Sequence, residues 1–487
     1  MSRINTNVPS LLAQNRLAAA NSDLNTRLER LSTGLRINSG GDDPSGLIVS
    51  ERLRSEISSI GQAVENAERA TNVIGTTEAA LSEINDLLIS IKGLTIEAAN
   101  TGAFSPEEVR ANQLEIDSAV ESITRIANTT SFAGLKLLNG HLDFVVSGQD
   151  STQVTDIRVN NANFGLDADL PVTVEVVASA QRGGLFLSGN LPGAAGELLS
   201  SVTLELQGNT GAQVFNFVSG TPLSAVADAV NQVRDATGVS ARLVSAANPT
   251  SGLVFESIEY GDEAFVSVTT LDGGDFFRTY EPETNAAVSR DLGRDVTALV
   301  NGHLATGDGL DVVLDTPTLT LDITLASGQS QLLSAPFDFT VTGGGALFQL
   351  GRNVNSLEQV GFGIPSVTAA HLGSQRLGFL ASITTGGPNS LVIGNPRGAS
   401  DIIDEAVTQI STIRGRLGAF QRNTLETTIR SQQVAVENLT EAESLVRDAD
   451  FAAETAALTR AQVMQQAGTQ TLSLANSNAE AVLALLQ

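Results

Sequence analysis

The sequence predicts an α+β multidomain fold: long coiled-coil helices from both termini, with a β-rich α+β region inserted between them. Three observations carry this. Seven-residue apolar repeats run through about the first 140 residues, the same repeat returns after about residue 400, and period-two alternation fills the space between.

The first helix is marked by Leu24, Leu28, Leu31 and Leu35, which form one apolar stripe. The stripe stops at NSGGDDPSG, where Gly40, Gly41 and Gly46 permit reorientation and Asp42, Asp43 or Ser45 can cap a new helix. Pro44 keeps the two helices from fusing into one rod.

A second helix is predicted from about Ser45 to Asn100, roughly 80 Å long. Its series is Leu53, Ile60, Ala67, Ile74, Leu81 and Leu88; Ile57, Val64 and Thr71 run beside it and shift register to Ile84 and Ile91. Thr101-Gly102 ends it, and Ser105-Pro106-Glu107-Glu108 opens a third helix with the residues of a capping box. Val109, Ile116 and Ile123 repeat by seven there, as do Gln113, Val120 and Ala127.

The far end mirrors this pattern. Ile403, Ile410 and Leu417 form one line, with Ala406, Ile413 and Phe420 beside it. In the last segment Phe451, Leu458, Leu472 and Leu486 fall on a seven-residue grid, with Ala461, Ala475 and Val482 on a neighbouring line. The terminal stripes are narrow and rich in alanine. Residues of about 1–42 and 450–487 are therefore expected to be poorly ordered in a monomer and to fold when copies assemble.

The middle alternates: Val202, Leu204 and Leu206, then Leu319, Leu321, Ile323 and Leu325, broken by QGNTG, TGDG and ASGQ. These read as strands and turns. One helix intrudes at TPLSAVADAVNQVRDATG, so that about 200–245 forms a compact α+β unit.

Composition excludes several classes of function. A formal charge of −26 opposes binding to nucleic acid or to an anionic membrane surface. Without cysteine there is no disulfide, thiolate nucleophile or cysteine metal site. No run approaches the ~18 apolar residues of a membrane span. The N-terminus lacks the apolar region of a secretory signal, so secretion would need another route. His141, His303 and His371 are isolated, and no HExxH pattern accompanies them. The glycine runs at 306–311 and 343–345 lack the lysine of a phosphate loop and read as turns. Asp272-Gly273-Gly274-Asp275 reads as a solvated loop. No catalytic residue, metal or cofactor is expected.

INTN at the start, Gln14, Leu17, LSTGLRIN followed by DDPSGL, and the ending AQVMQQAGTQTLSLAN…VLALL resemble bacterial flagellin. Two departures are visible: Pro44 replaces the usual alanine, and the proline usual before the final VLxLL is absent from Ser477-Asn478-Ala479-Glu480. The resemblance implies an inner helical core (1–42 and 450–487), packed through Leu17, Leu24, Leu28, Leu31, Leu35, Leu458, Leu472, Val482 and Leu486. Around it a tube (43–178 with a β-hairpin, and 400–449) would pack through Leu53, Ile60, Ile74, Leu81, Leu88, Ile116, Ile123, Ile403, Ile410 and Leu417. Residues 179–399 would form the outer β-rich part, and 40–46 the spoke between core and tube.

The resemblance further implies a secreted, extracellular filament subunit used for motility, exported through the flagellar secretion apparatus. Its partners would be copies of itself, an export chaperone on the C-terminal helix, and the filament cap and hook-associated proteins. The alternatives are a hook–filament junction protein and an adhesin-like subunit. Many flagellins engage a Toll-like receptor through a Gln-Arg pair, a leucine and a glutamate. The aligned positions here are Ile89, Ser90, Leu94 and Glu115, so loss of the arginine implies weak recognition.

Overall fold

The computed structural model describes residues 6–100, 102–165, 167, 169–187, 196–245, 247–274 and 277–484. Among these, eight α-helices follow one another: α1 (Val8–Thr33), α2 (Pro44–Ala99), α3 (Pro106–Thr129), α4 (Leu223–Gln232), α5 (Arg234–Thr237), α6 (Pro396–Phe420), α7 (Glu426–Arg447) and α8 (Phe451–Ala484). Helical termini and a β-rich middle are thus both present. The chain divides into two compact units. One is Met1–Ala70 with Gln349–Val354 and Gln421–Gln487; the other is Thr71–Phe348 with Asn355–Phe420.

The first unit is helical. Asn7 caps α1 by accepting from the Ser10 N–H at 3.1 Å, and Gly34 ends it in the left-handed conformation at φ 75°. Asp450 caps α8, its Oδ1 accepting from the N–H of Ala452 and Ala453 at 2.9 and 3.1 Å. Here Leu53 is half-buried and Ile60 buried, while Arg447 reaches Glu51 at 2.7 Å.

In the second unit the seven-residue series become a core. Ile74, Leu81, Leu88, Ile116, Ile123, Ile403, Ile410 and Leu417 are all at most 1 % exposed. Burial of that extent is what makes each helix face stable, at about 1.5–3 kcal/mol per large aliphatic side chain. Ion pairs of Lys92 with Asp404 and of Glu78 with Arg414 tie α2 to α6. The Ser105–Glu108 capping box forms as the sequence predicts.

Two buried glutamines lie among these apolar faces. Gln113 of α3 donates to the Ile383 carbonyl at 2.9 Å and accepts from the Leu391 N–H at 2.8 Å. Gln409 of α6 brackets Gly373 in the same way, at 2.8 and 3.0 Å. Each satisfies backbone groups of the 365–395 loop segment that burial would otherwise leave unpaired.

The β-rich part of this unit has two cores. One belongs to an eight-stranded antiparallel sheet, in the order Phe144–Ser147, Phe337–Gly344, Leu170–Ala178, Thr297–Val300, His303–Asp308, Asp311–Asp315, Leu319–Leu325, Val154–Ala162. Leu319, Leu321, Ile323 and Leu325 all point into it, as the alternation predicts. The other core joins two four-stranded sheets and α4, and includes Leu185, Val202, Leu204, Leu206, Val226, Val230, Phe255 and Val268.

Two sequence boundaries differ from this arrangement. Residues 144–178, divided by sequence into the tube, pair with strands from 297–344 in a single sheet. The 200–245 unit shares its core with strands on either side, Gly184–Leu187, Leu253–Ser257 and Phe265–Gly273. Hydrogen bonding between distant strands, invisible to a local pattern, sets both limits. The whole module leaves and rejoins the chain at Gln181 and Arg294, which pair antiparallel at 2.8 and 3.0 Å.

Candidate assembly surface

In the first unit, α1 and α8 pack along their lengths. Arg27 donates to both oxygens of Glu454, at 2.9 and 3.1 Å, and Arg30 donates to one of them at 3.1 Å. Burial pushes the Glu454 carboxyl up, but the hydrogen bonds and charges of Arg27 and Arg30 outweigh it and hold the group below the usual glutamate value. Further along, Gln465 donates to Asn21 at 2.9 Å, and Asn7 donates to the Ala475 carbonyl at 3.0 Å. Gly468 lies against Leu17, where a Cβ would come within 3.2 Å of Leu17 Cδ1.

This pair buries little. In α1 only Ser10 and Ala13 are buried, and in the described side chains of α8 only Glu454 and Ala461. Leu17, Leu24, Leu31, Leu35, Leu458 and Leu472 are half-buried, whereas Leu28 is exposed. The side chain of Val482, and Leu486 altogether, lie outside the described residues. Leu11, Leu12, Phe451, Val463, Met464 and Leu474 are each more than half exposed. Two helices therefore share one seam and leave further apolar surface unpartnered.

The stretch joining α1 to α2 is built differently from the sequence expectation. Neither Gly40 nor Gly41 occupies the left-handed region; that conformation falls on Gly34. Gly40 and Gly41 are the central residues of a turn closed by the Asp42 N–H donating to the Ser39 carbonyl at 3.1 Å. Asp42 Oδ2 accepts from Ser39 and Asn38, which holds its carboxyl below the usual range, the Ser39 backbone bond leading. Asp43 is the residue that caps α2, accepting from the Gly46 N–H at 2.9 Å, with Pro44 opening the helix. Gly46 is required for space: a Cβ would sit 2.5 Å from Ile37 Cδ1 and 2.6 Å from Asp43 Oδ2.

A second crossing segment, between α7 and α8, runs beside the first. Leu35 and Asp448 form an antiparallel bridge, with the Arg36 N–H donating to the Arg447 carbonyl at 2.7 Å and the Ala449 N–H to the Gly34 carbonyl at 2.9 Å. Sequence reasoning missed this pairing and the Glu454 ion pair. The available signal was slight: Glu454 is the lone carboxylate in the first turn of a helix with few charges.

Of the receptor-equivalent positions, Ile89, Ser90 and Glu115 are exposed and Leu94 is half-buried. His371 sits 2.8 Å from the Thr368 hydroxyl. Among the described residues no group of three His, Cys, Asp or Glu is placed to hold a metal, and no helix is long and apolar enough to cross a membrane. Asp275, the last residue of the Asp-Gly-Gly-Asp loop, lies outside the described residues.

Comparison with known proteins gives three family matches. Residues 4–143 match the bacterial flagellin N-terminal helical region, residues 400–486 the bacterial flagellin C-terminal helical region, and residues 203–259 the flagellin hook IN motif. The B-type flagellin of Pseudomonas aeruginosa is 32 % identical, covering 99 % of both chains. Flagellin B of Helicobacter pylori is 28 % identical over 100 % of this chain and 99 % of its own. The flagellin of Salmonella typhimurium is 29 % identical over 99 % of both. Among solved structures, FlgL of Xanthomonas campestris is similar at TM-score 0.27 and 14 % identity, over 80 % of this chain and 99 % of its own.

Proposed function

The chain belongs to the bacterial flagellin family, whose members are structural subunits of the flagellar filament, and from that premise we propose how it assembles and with what. It polymerises head to tail through a heterologous interface that repeats without closing. Residues 1–42 and 450–487 form the inner core, the helices within 43–178 and 400–449 the surrounding tube packed as coiled coils, and the β-rich modules face outward.

The observation that carries this reading is the sparse burial of the α1–α8 pair beside its exposed Leu11, Leu12, Leu28, Phe451, Val463, Met464 and Leu474. Surface of that kind is covered in a polymer and costly in a monomer. It also supports a cytoplasmic export chaperone that shields α8 before secretion through the flagellar apparatus. The assembled filament serves motility outside the cell, meets cap and hook-associated proteins at its ends, and needs no cofactor, nucleic acid or membrane insertion.

Adding filament seeds to the purified full chain and imaging by electron microscopy tests this. Filaments are expected from the full chain and none after removal of 451–487; a chain that stays monomeric with seeds overturns the reading. A junction protein would be scarce in sheared filaments, and an adhesin-like role would survive as ligand binding by the outer modules.

Receptor recognition is proposed to be weak. Ile89 and Ser90 are exposed but offer no guanidinium to anchor the contact. A reporter-cell response equal to that of a strongly stimulatory flagellin contradicts this.

A further inference from the structure

The sequence holds two Asn-Gly pairs in nearly the same setting, Leu138-Asn139-Gly140-His141 and Val300-Asn301-Gly302-His303. Both asparagines are exposed. Local sequence therefore treats them alike, but the fold does not. Asn139 Oδ1 accepts from the His141 N–H at 3.1 Å, an Asx turn. The ring closed by that bond contains both Cγ of Asn139 and the Gly140 nitrogen, so the side chain is folded back along the backbone it would react with. Asn301, at the tip of the Thr297–Asp308 hairpin, is held against the neighbouring strand Leu170–Ala178 instead. Its Oδ1 accepts from the Thr173 N–H at 2.8 Å, its Nδ2 donates to the Pro171 carbonyl at 3.3 Å, and its own N–H donates to the Thr173 carbonyl at 2.9 Å.

We propose that Asn139-Gly140 is a spontaneous modification site in the folded chain, deamidating through a succinimide, and that Asn301-Gly302 is protected. The Gly140 nitrogen loses its proton and attacks Cγ of Asn139. The N–Cγ bond forms, the Cγ–Nδ2 bond breaks, and ammonia leaves with the proton. Water then opens the ring at either carbonyl, giving aspartate or isoaspartate, with no oxidant or reductant consumed. Glycine at 140 leaves the attacking nitrogen unshielded by a Cβ. At Asn301 the same attack first requires both side-chain hydrogen bonds to open, which slows it about tenfold or more.

The product changes the turn. Either acid adds a negative charge, and isoaspartate adds a methylene to the backbone. Gly140 is already at φ +87° there, and a Cβ on it would lie 3.2 Å from Ser366 Cβ.

Incubating the native full-length chain in mildly alkaline buffer, with peptide mapping by mass spectrometry over time, tests this. The expected result is amide-to-acid conversion at Asn139 about tenfold or more faster than at Asn301, with the two rates converging in denaturant. Equal native rates, or a faster Asn301, overturn the proposal. So does a difference that persists in denaturant, since the neighbours in sequence rather than the fold would then set it.

Discussion

Glu454 of α8 accepts hydrogen bonds from Arg27 of α1 through both carboxylate oxygens, across 427 positions of sequence. It is the main polar lock on a helix pair that has little else buried. Replacing Glu454 with Gln leaves Arg27 and Arg30 facing a neutral amide and is expected to weaken the pair by about 2 kcal/mol. Faster proteolysis within α1 and α8 of the monomer, with β-module stability unchanged, is the expected outcome; unchanged cleavage counts against the lock.

The same carboxylate makes the pair sensitive to acid. Its pKa is lowered in the folded chain. Its stabilising contribution is therefore complete above the unfolded glutamate value and is lost as pH falls through the lower folded value. Amide protection in α1 and α8, taken relative to the intrinsic exchange rate at each pH, should be high near neutrality and fall below the ordinary glutamate range. In Glu454→Gln it should be low at both ends of that window.

Gly46 and Gly40 should respond differently to the same change. Gly46→Ala drives a methyl into Ile37 and Asp43 and is expected to cost about 1–3 kcal/mol, fraying the start of α2. Gly40→Ala meets only Leu47 Cδ2 at 3.7 Å and should be nearly neutral. Thermal unfolding of the two variants, with α2 amide exchange, separates them.

Gln113→Ala leaves the Ile383 carbonyl and the Leu391 N–H buried without their partner. A cost of about 1–3 kcal/mol for each group is expected, felt as release of the 383–391 segment from α3. Protection of those amides in exchange experiments measures it.

Because Gln181 and Arg294 pair, the module between them can be removed without cutting the eight-stranded sheet. Joining these residues through a short glycine linker is expected to leave a chain that folds and polymerises. A deletion running from 179 to 399 removes the sheet's Thr297–Val300 and Leu319–Leu325 strands and should misfold the remainder. Seeded polymerisation of both variants checks the contrast.

Helices were legible from sequence because their determinants lie within a few residues of one another. In α2, α3 and α6 the seven-residue series marked which faces are buried, and the Ser105–Glu108 box could be read from adjacent residues, whereas the choice of Asp43 among Asp42, Asp43 and Ser45 as the cap of α2 could not. Alternation in Val202–Leu206 and Leu319–Leu325 fixed strand faces for the same reason. Tertiary structure decided everything that joins distant segments: which strands share a sheet, where the inserted module begins and ends, and the pairing of Leu35 with Asp448. It also decided that Gly46 serves space while Gly34 serves conformation, and that two like Asn-Gly pairs face different surroundings. Local pattern specifies the direction in which a side chain points; only the folded chain supplies what stands opposite it.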